Sequence, residues 1–193
     1  MTVLDKLKRR WARPPEQVRA AVAASADPDE RVLAWGVLAR DAGWLAATSR
    51  GLRRVSADLI LEQAGDAGVL PWHEVGRAKW TATADGGGSF AVTPLTEVEP
   101  GVQARLPEQR HVLVDAGDLP AVVRRRVDRT VVASRRSPLP GRGGVLLVAR
   151  RLPGQAAREW SVVFDDDADR SDPQAREAAR QKLADAVAAD QPE

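Results

Sequence analysis

Between Glu30 and Asp115 the chain is a succession of short apolar segments, each closed by turn residues. They include Arg31-Val-Leu-Ala-Trp-Gly-Val-Leu-Ala-Arg40, Gly43-Trp-Leu-Ala-Ala-Thr48, Leu70-Pro-Trp-His-Glu-Val75 and the pair Val75–Ala84 and Ser89–Leu95 around Asp85-Gly-Gly-Gly88. Runs this short, rich in Val, Leu and Trp and bounded by Gly, Pro and Asp, are strands, and two of them around a Gly-rich turn form a hairpin. In the first segment both faces are apolar, so the spacing predicts a strand covered on both sides. Further strands are expected over Trp44–Val55 with a bend at Ser49-Arg-Gly51, over Leu59–Glu62, and over Val102–Leu106 and His111–Asp115.

Helical periodicity flanks this sheet. Val3, Leu4, Leu7 and Trp11 recur every three or four residues, with Lys6, Arg9, Arg10 and Arg13 beside them, until Pro14-Pro15 stops the pattern. Pro15 can open a second helix reaching Ala24. Asp118–Ala133 reads as a helix with Asp118 at its N-cap and Leu119, Val122, Val123, Val127 and Val131 as its apolar stripe. After the break at Ser137–Gly144, Val145–Arg151 and Glu159–Phe164 form a hairpin through Pro153-Gly154. Asp172 then caps a last helix with Pro173 at its first position, Ala175, Ala179, Leu183, Ala186 and Val187 lying on its buried side.

Composition removes several classes of function. The 193 residues contain no cysteine, which excludes disulfides, thiolate metal sites and thiol nucleophiles. No apolar run approaches the roughly 20 residues of a membrane-spanning helix, and the first residues lack the apolar core of a signal peptide; the expected location is cytoplasmic. The pI of 9.5 accompanies a net charge of only +2, because without Tyr or Cys and with few Lys little titrates above neutrality. Charge is uneven: positive over 1–13 and 118–151, negative over 14–117 and 159–193.

Ala46-Ala-Thr-Ser-Arg-Gly-Leu52 resembles the strand-to-bend passage of bacterial pleckstrin-homology-like (PH-like) domains, with Gly51 inserted. Leu70-Pro-Trp-His-Glu-Val75 resembles that family's entry into a central strand. The chain as a whole resembles an actinobacterial protein. The resemblance implies a bent antiparallel barrel closed by one helix and implies no activity. The expected fold is therefore α+β: an N-terminal helical segment over 1–29, a PH-like barrel and capping helix over 30–136, and a β-hairpin plus C-terminal helix over 137–193 packed on the barrel.

Motifs for chemistry fail on spacing. His73-Glu74 lacks a second histidine, since Arg77 stands where a zinc-protease helix needs it. Asp165, Asp167 and Asp169 have the spacing of an EF-hand loop, but Arg170 replaces its glycine and Arg176 its glutamate. Pro140-Gly-Arg-Gly-Gly144 precedes a strand and lacks the Lys-Ser/Thr of a phosphate loop. No serine lies in a Gly-x-Ser-x-Gly turn. No catalytic residue, cofactor or metal site is expected. Two surfaces remain. Arg124, Arg125, Arg129, Arg135 and Arg136 form a candidate polyanion or partner surface, their alternative being a face that is solvated or paired with the acidic tail. Leu4, Leu7, Arg10 and Trp11 form a candidate membrane-surface or partner helix, their alternative being docking on the chain's own domain. The reading is a non-enzymatic interaction or scaffold protein with a protein partner; nucleic-acid association through 124–151 and peripheral membrane association are the alternatives.

Overall fold

A computed structural model describes residues 13–40, 42–57, 68–152 and 157–190. The fold is α+β, and the described residues divide into two compact units. One holds the described chain up to Pro94 together with Glu108–Val127; the other holds Leu95–Pro107 and the described chain from Asp128 onward.

In the first unit the hydrogen-bonded strand order is β4 (Val69–Pro71), β3 (Gly51–Val55), β2 (Trp44–Thr48), β1 (Val32–Leu38), β8 (Gln109–Asp115), β6 (Gly88–Glu99, as far as Pro94) and β5 (Val75–Ala82). Every neighbouring pair is antiparallel. Alternation assigns the faces. Ala34, Leu38, Leu45, Ala47, Leu52, Phe90, Val92 and Leu113 cluster on one side. Helix α2 (Leu119–Thr130) joins them with Leu119 and Val123 fully buried and Val122 and Val127 partly so. On the other face, helix α1 (Glu16–Ala23) lays Val18 and Ala21 against Ala46 and Val55 beside half-buried Trp35 and Trp44. The β2–β3 turn is fastened by Thr48, whose Oγ1 accepts from the amides of Arg50 at 3.2 Å and Gly51 at 3.1 Å. Gly51 cannot be larger, because a Cβ there would stand 2.2 Å from the carbonyl oxygen of Leu70 on β4.

The second unit orders its strands β6 (from Leu95), β7 (Val102–Arg105), β11 (Arg158–Phe164), β10 (Gly144–Arg151) and β9 (Val131–Pro138). The β7–β11 pair is parallel; the others are antiparallel. Helix α3 (Pro173–Ala188) covers one face. Its Ala175, Ala179 and Ala186 are small enough to bring the helix close to Val145, Leu147, Val162 and Phe164. The Asp172 side chain accepts from the Gln174 amide at 3.0 Å, and Pro173, with no N–H to satisfy, starts the helix.

Several expectations change. The sheet of the first unit is open, not a closed barrel: β4 and β5 stand at its ends without pairing to each other among the described residues. Strand β4 has three residues and finishes at Pro71, which has no N–H to extend a ladder. The helix expected to reach Ala133 stops at Thr130, and β-branched Val131 and Val132 begin β9, so Val131 leaves the helical stripe. The C-terminal hairpin exists as β10–β11 but is flanked on both sides, by β9 and β7. The segments 95–107 and 128–136, expected within the PH-like domain, belong to the second unit. Trp35 and Trp80, expected from their small apolar neighbours to be mostly buried, are half-buried; among the described residues the buried tryptophan is Trp72, at 4% exposure. The expected helix over 2–12 (with Leu4, Leu7, Arg10 and Trp11), the strand over Leu59–Glu62 and the Pro153-Gly154 turn lie outside the described residues.

Candidate interaction site

The apolar stripe of α2 faces the sheet, which turns Arg124, Arg125 and Arg129 outward, and all three are exposed. Arg135 and Arg136 are exposed on β9, and Arg136 reaches Asp165 at 3.5 Å. The five are shared between the units: Arg124 and Arg125 belong to the first, Arg129, Arg135 and Arg136 to the second. Arg150, from the same basic run, is buried and donates to Thr130 Oγ1 at 2.9 Å; burial pushes its pKa down. The acidic tail finds partners within its own unit. Asp166 pairs with Arg105 at 2.9 Å, and Asp190 takes Arg158 and the Trp160 indole N–H. Asp169 accepts from the amide and hydroxyl of Ser171, and the hydroxyl first, then the amide, holds its carboxyl below the ordinary range. Among the described residues no three His, Cys, Asp or Glu side chains converge as metal ligands would.

A different set of arginines does converge. In the second unit a cleft of about 180 Å³ is bounded by Val98 and Glu99 at the end of β6, by Val102, Gln103 and Ala104 of β7, by Phe164 at the end of β11, and by Arg170, Arg176 and Arg180. Local chemistry builds each wall. Gly101 has φ +71°, a left-handed value that favours glycine, and its amide donates to Glu97 Oε1 at 2.7 Å, folding β6 back into β7. Arg176 and Arg180 are four residues apart on α3, so they share a face. Between them lies Glu99. Its Oε1 accepts from Arg176 and its Oε2 from Arg180 at 3.1 Å, while Arg180 also reaches Glu177 at 2.9 Å. The Arg180 hydrogen bond holds the Glu99 carboxyl below the ordinary carboxylate range, with Arg176 adding to it. Reciprocally, the Glu99 hydrogen bond pushes Arg180 up. Arg170 makes no ion pair among the described residues.

The lining thus carries three guanidiniums, two of them bonded to its one carboxylate. It contains no hydroxyl, imidazole or amine nucleophile, and its one carboxylate, stabilised in the charged form by two guanidiniums, is a poor proton acceptor. Sequence reading passed over the site: Arg170 and Arg176 entered it only as the residues that spoil an EF-hand. The spacing of Arg176 and Arg180 was the available signal. Glu99 carried none, being 77 and 81 residues from its two partners. Compared with known proteins, the chain matches no family model, no curated protein and no solved structure.

Proposed function

We propose that this chain is a non-enzymatic interaction module that captures an acidic segment of a partner protein in the cleft of its second unit. The observation that carries the reading is the convergence of Arg170, Arg176 and Arg180 around a cavity whose lining has a single counter-carboxylate, Glu99. Guanidiniums recognise carboxylates through charge-assisted, directional hydrogen bonds, and three in one concavity concentrate that capacity. The volume of about 180 Å³ lies below the roughly 300–1,000 Å³ of sites for drug-sized ligands, so it suits one or two side chains better than a nucleotide or a cofactor. The α2-capped antiparallel sheet of the first unit favours a PH-like scaffold, while its open ends and the α1 helix on the opposite face depart from one.

Fluorescence anisotropy with a labelled glutamate-rich peptide tests this. The expected result is saturable binding that weakens with salt and is lost in Arg170→Ala/Arg176→Ala. Binding of duplex DNA that survives those changes and is lost in Arg124→Ala/Arg125→Ala/Arg129→Ala would replace the reading with nucleic-acid association. Binding to anionic vesicles lost in Leu7→Ala/Trp11→Ala would replace it with membrane association. Peptide binding absent, or unchanged by the cleft substitutions, would overturn it.

A further inference from the structure

Glu99 occupies the Arg176–Arg180 fork as a ligand's carboxylate would, with one oxygen on each guanidinium. We infer that the ligand of this cleft is a carboxylate next to an aliphatic side chain, and that it binds by taking the place of Glu99. This rests on the cleft being the interaction site.

Three observations support exchange. The fork is accessible: the side chains of Arg176, Arg180 and Glu99 are 43%, 48% and 32% exposed, so the leaving carboxylate passes into water without stranding a buried charge. Exposed pairs of this kind are weak, which makes one carboxylate replaceable by another. Arg170 supplies a third cation on the same lining, a first contact for an arriving acid before Glu99 lets go. Glu99 itself ends β6 beside the Pro100-Gly101 turn, so its side chain can swing outward while the β6–β7 pairing stays in place.

The remaining lining sets the neighbour of that carboxylate. Val98, 57% exposed, and half-buried Ala104 form the accessible part of an apolar wall, behind which Val102 and Phe164 are only 7% and 4% exposed. An aliphatic side chain beside the acid would cover this wall, gaining from the apolar surface removed from water. A bare phosphate would leave it wet, and a glutamate run would use the arginines alone. The ligand class is therefore a short acidic-aliphatic peptide motif, such as a Glu-Leu pair, with Glu99 as the internal competitor that sets its affinity.

The test uses the full chain and a labelled peptide carrying Leu-Glu-Leu between glycines, with Ser-Glu-Ser and Leu-Gln-Leu versions and a phosphoserine version as comparisons. Glu99→Gln is expected to bind Leu-Glu-Leu about tenfold more tightly than the parent, because the fork is then free of its internal charge. Glu177→Gln, which relieves Arg180 of a partner outside the cleft lining, is expected to raise affinity much less than Glu99→Gln. In the parent protein, the side-chain carboxyl carbon resonance of Glu99 should shift on peptide titration, a readout independent of any variant's folding. Binding that Glu99→Gln leaves unchanged or weakens, or a Glu99 resonance that stays fixed at saturation, would overturn the exchange while leaving the cleft as the site. Equal binding of the Ser-Glu-Ser or phosphoserine peptides would overturn the acidic-aliphatic class. Absence of binding to the parent and to Glu99→Gln alike would remove the proposed function itself.

Discussion

Arg53 Nη2 lies 3.0 Å from Glu30 Oε2, and both side chains are withdrawn from water. Glu30 precedes β1 and Arg53 is on β3, so the pair fastens the approach to β1 onto a strand two places along the sheet. Arg50 stands 3.8 Å from the same Glu30 oxygen. Taking away one member of a buried pair leaves the other charge uncompensated. Glu30→Ala is therefore expected to cost about 3–5 kcal/mol, and Glu30→Leu/Arg53→Met much less than either single change. Urea unfolding of the single and double variants checks this; additive losses would contradict it.

Trp72 is the anchor of the first core. Its indole N–H donates to the Thr48 carbonyl at 3.0 Å while the ring is buried among the first unit's apolar side chains. Replacing it with Ala should cost about 3–5 kcal/mol. Phe should cost about 1–3 kcal/mol, mainly through the Thr48 carbonyl left without its donor. Trp35→Ala, at a half-buried position, should cost about 1–2 kcal/mol. Melting curves ranking Trp35 above Trp72 would reverse this assignment.

His111 on β8 is held below the ordinary imidazole range, first by burial and second by the Arg54 guanidinium. The unfolded chain then binds the proton more readily than the folded one. The stability contributed by neutral His111 is present above the ordinary histidine pKa of about 6.5 and is lost as pH falls through and below it. Between about pH 7 and pH 5.5 the parent should lose melting temperature, and His111→Gln should lose less. Parallel profiles would show that the histidine is not the sensor.

Asp172→Ala removes the side-chain cap of α3 and is expected to cost about 1 kcal/mol. Asp172→Asn, which keeps an acceptor oxygen, should recover most of it. The measurement is again denaturant unfolding, with the fall in α3 helicity followed by amide exchange.

Local chemistry was readable where a few adjacent residues decide the outcome. Asp172-Pro173 announced α3, Asp85–Gly88 announced the β5–β6 turn, and Pro15 announced α1. Longer-range outcomes were not. Val131 continues the helical spacing of α2, yet its pairing with Arg150 on β10 places it in a strand. Trp35 sits among small apolar neighbours in sequence, whereas Trp72 stands beside Pro71, His73 and Glu74. Trp35 lies on β1 beneath α1, while Trp72 opens the one-turn 3-10 helix Trp72–Glu74 between β4 and β5, which carries its ring into the inner cluster. The cleft was least visible, because Glu99 meets Arg176 and Arg180 only through the order in which β6, β7 and β11 are assembled under α3.

The parallel pairing of β7 with β11 has a consequence for how this protein is made and cut. Gln103 on β7 meets Ser161 on β11, 58 residues later, at 3.2 Å. Closing so long a loop is entropically expensive, and contacts of this separation slow folding. On the ribosome β7 emerges well before β11 exists, and β8 and α2, then β9 and β10, are synthesised in between. A fragment ending at Val127 would keep β7 and lose β11; one beginning at Asp128 would keep β11 and lose β7. The chain passes between the two units three times, after Pro94, Pro107 and Val127, so dissecting or transplanting either one requires three cuts and a new join.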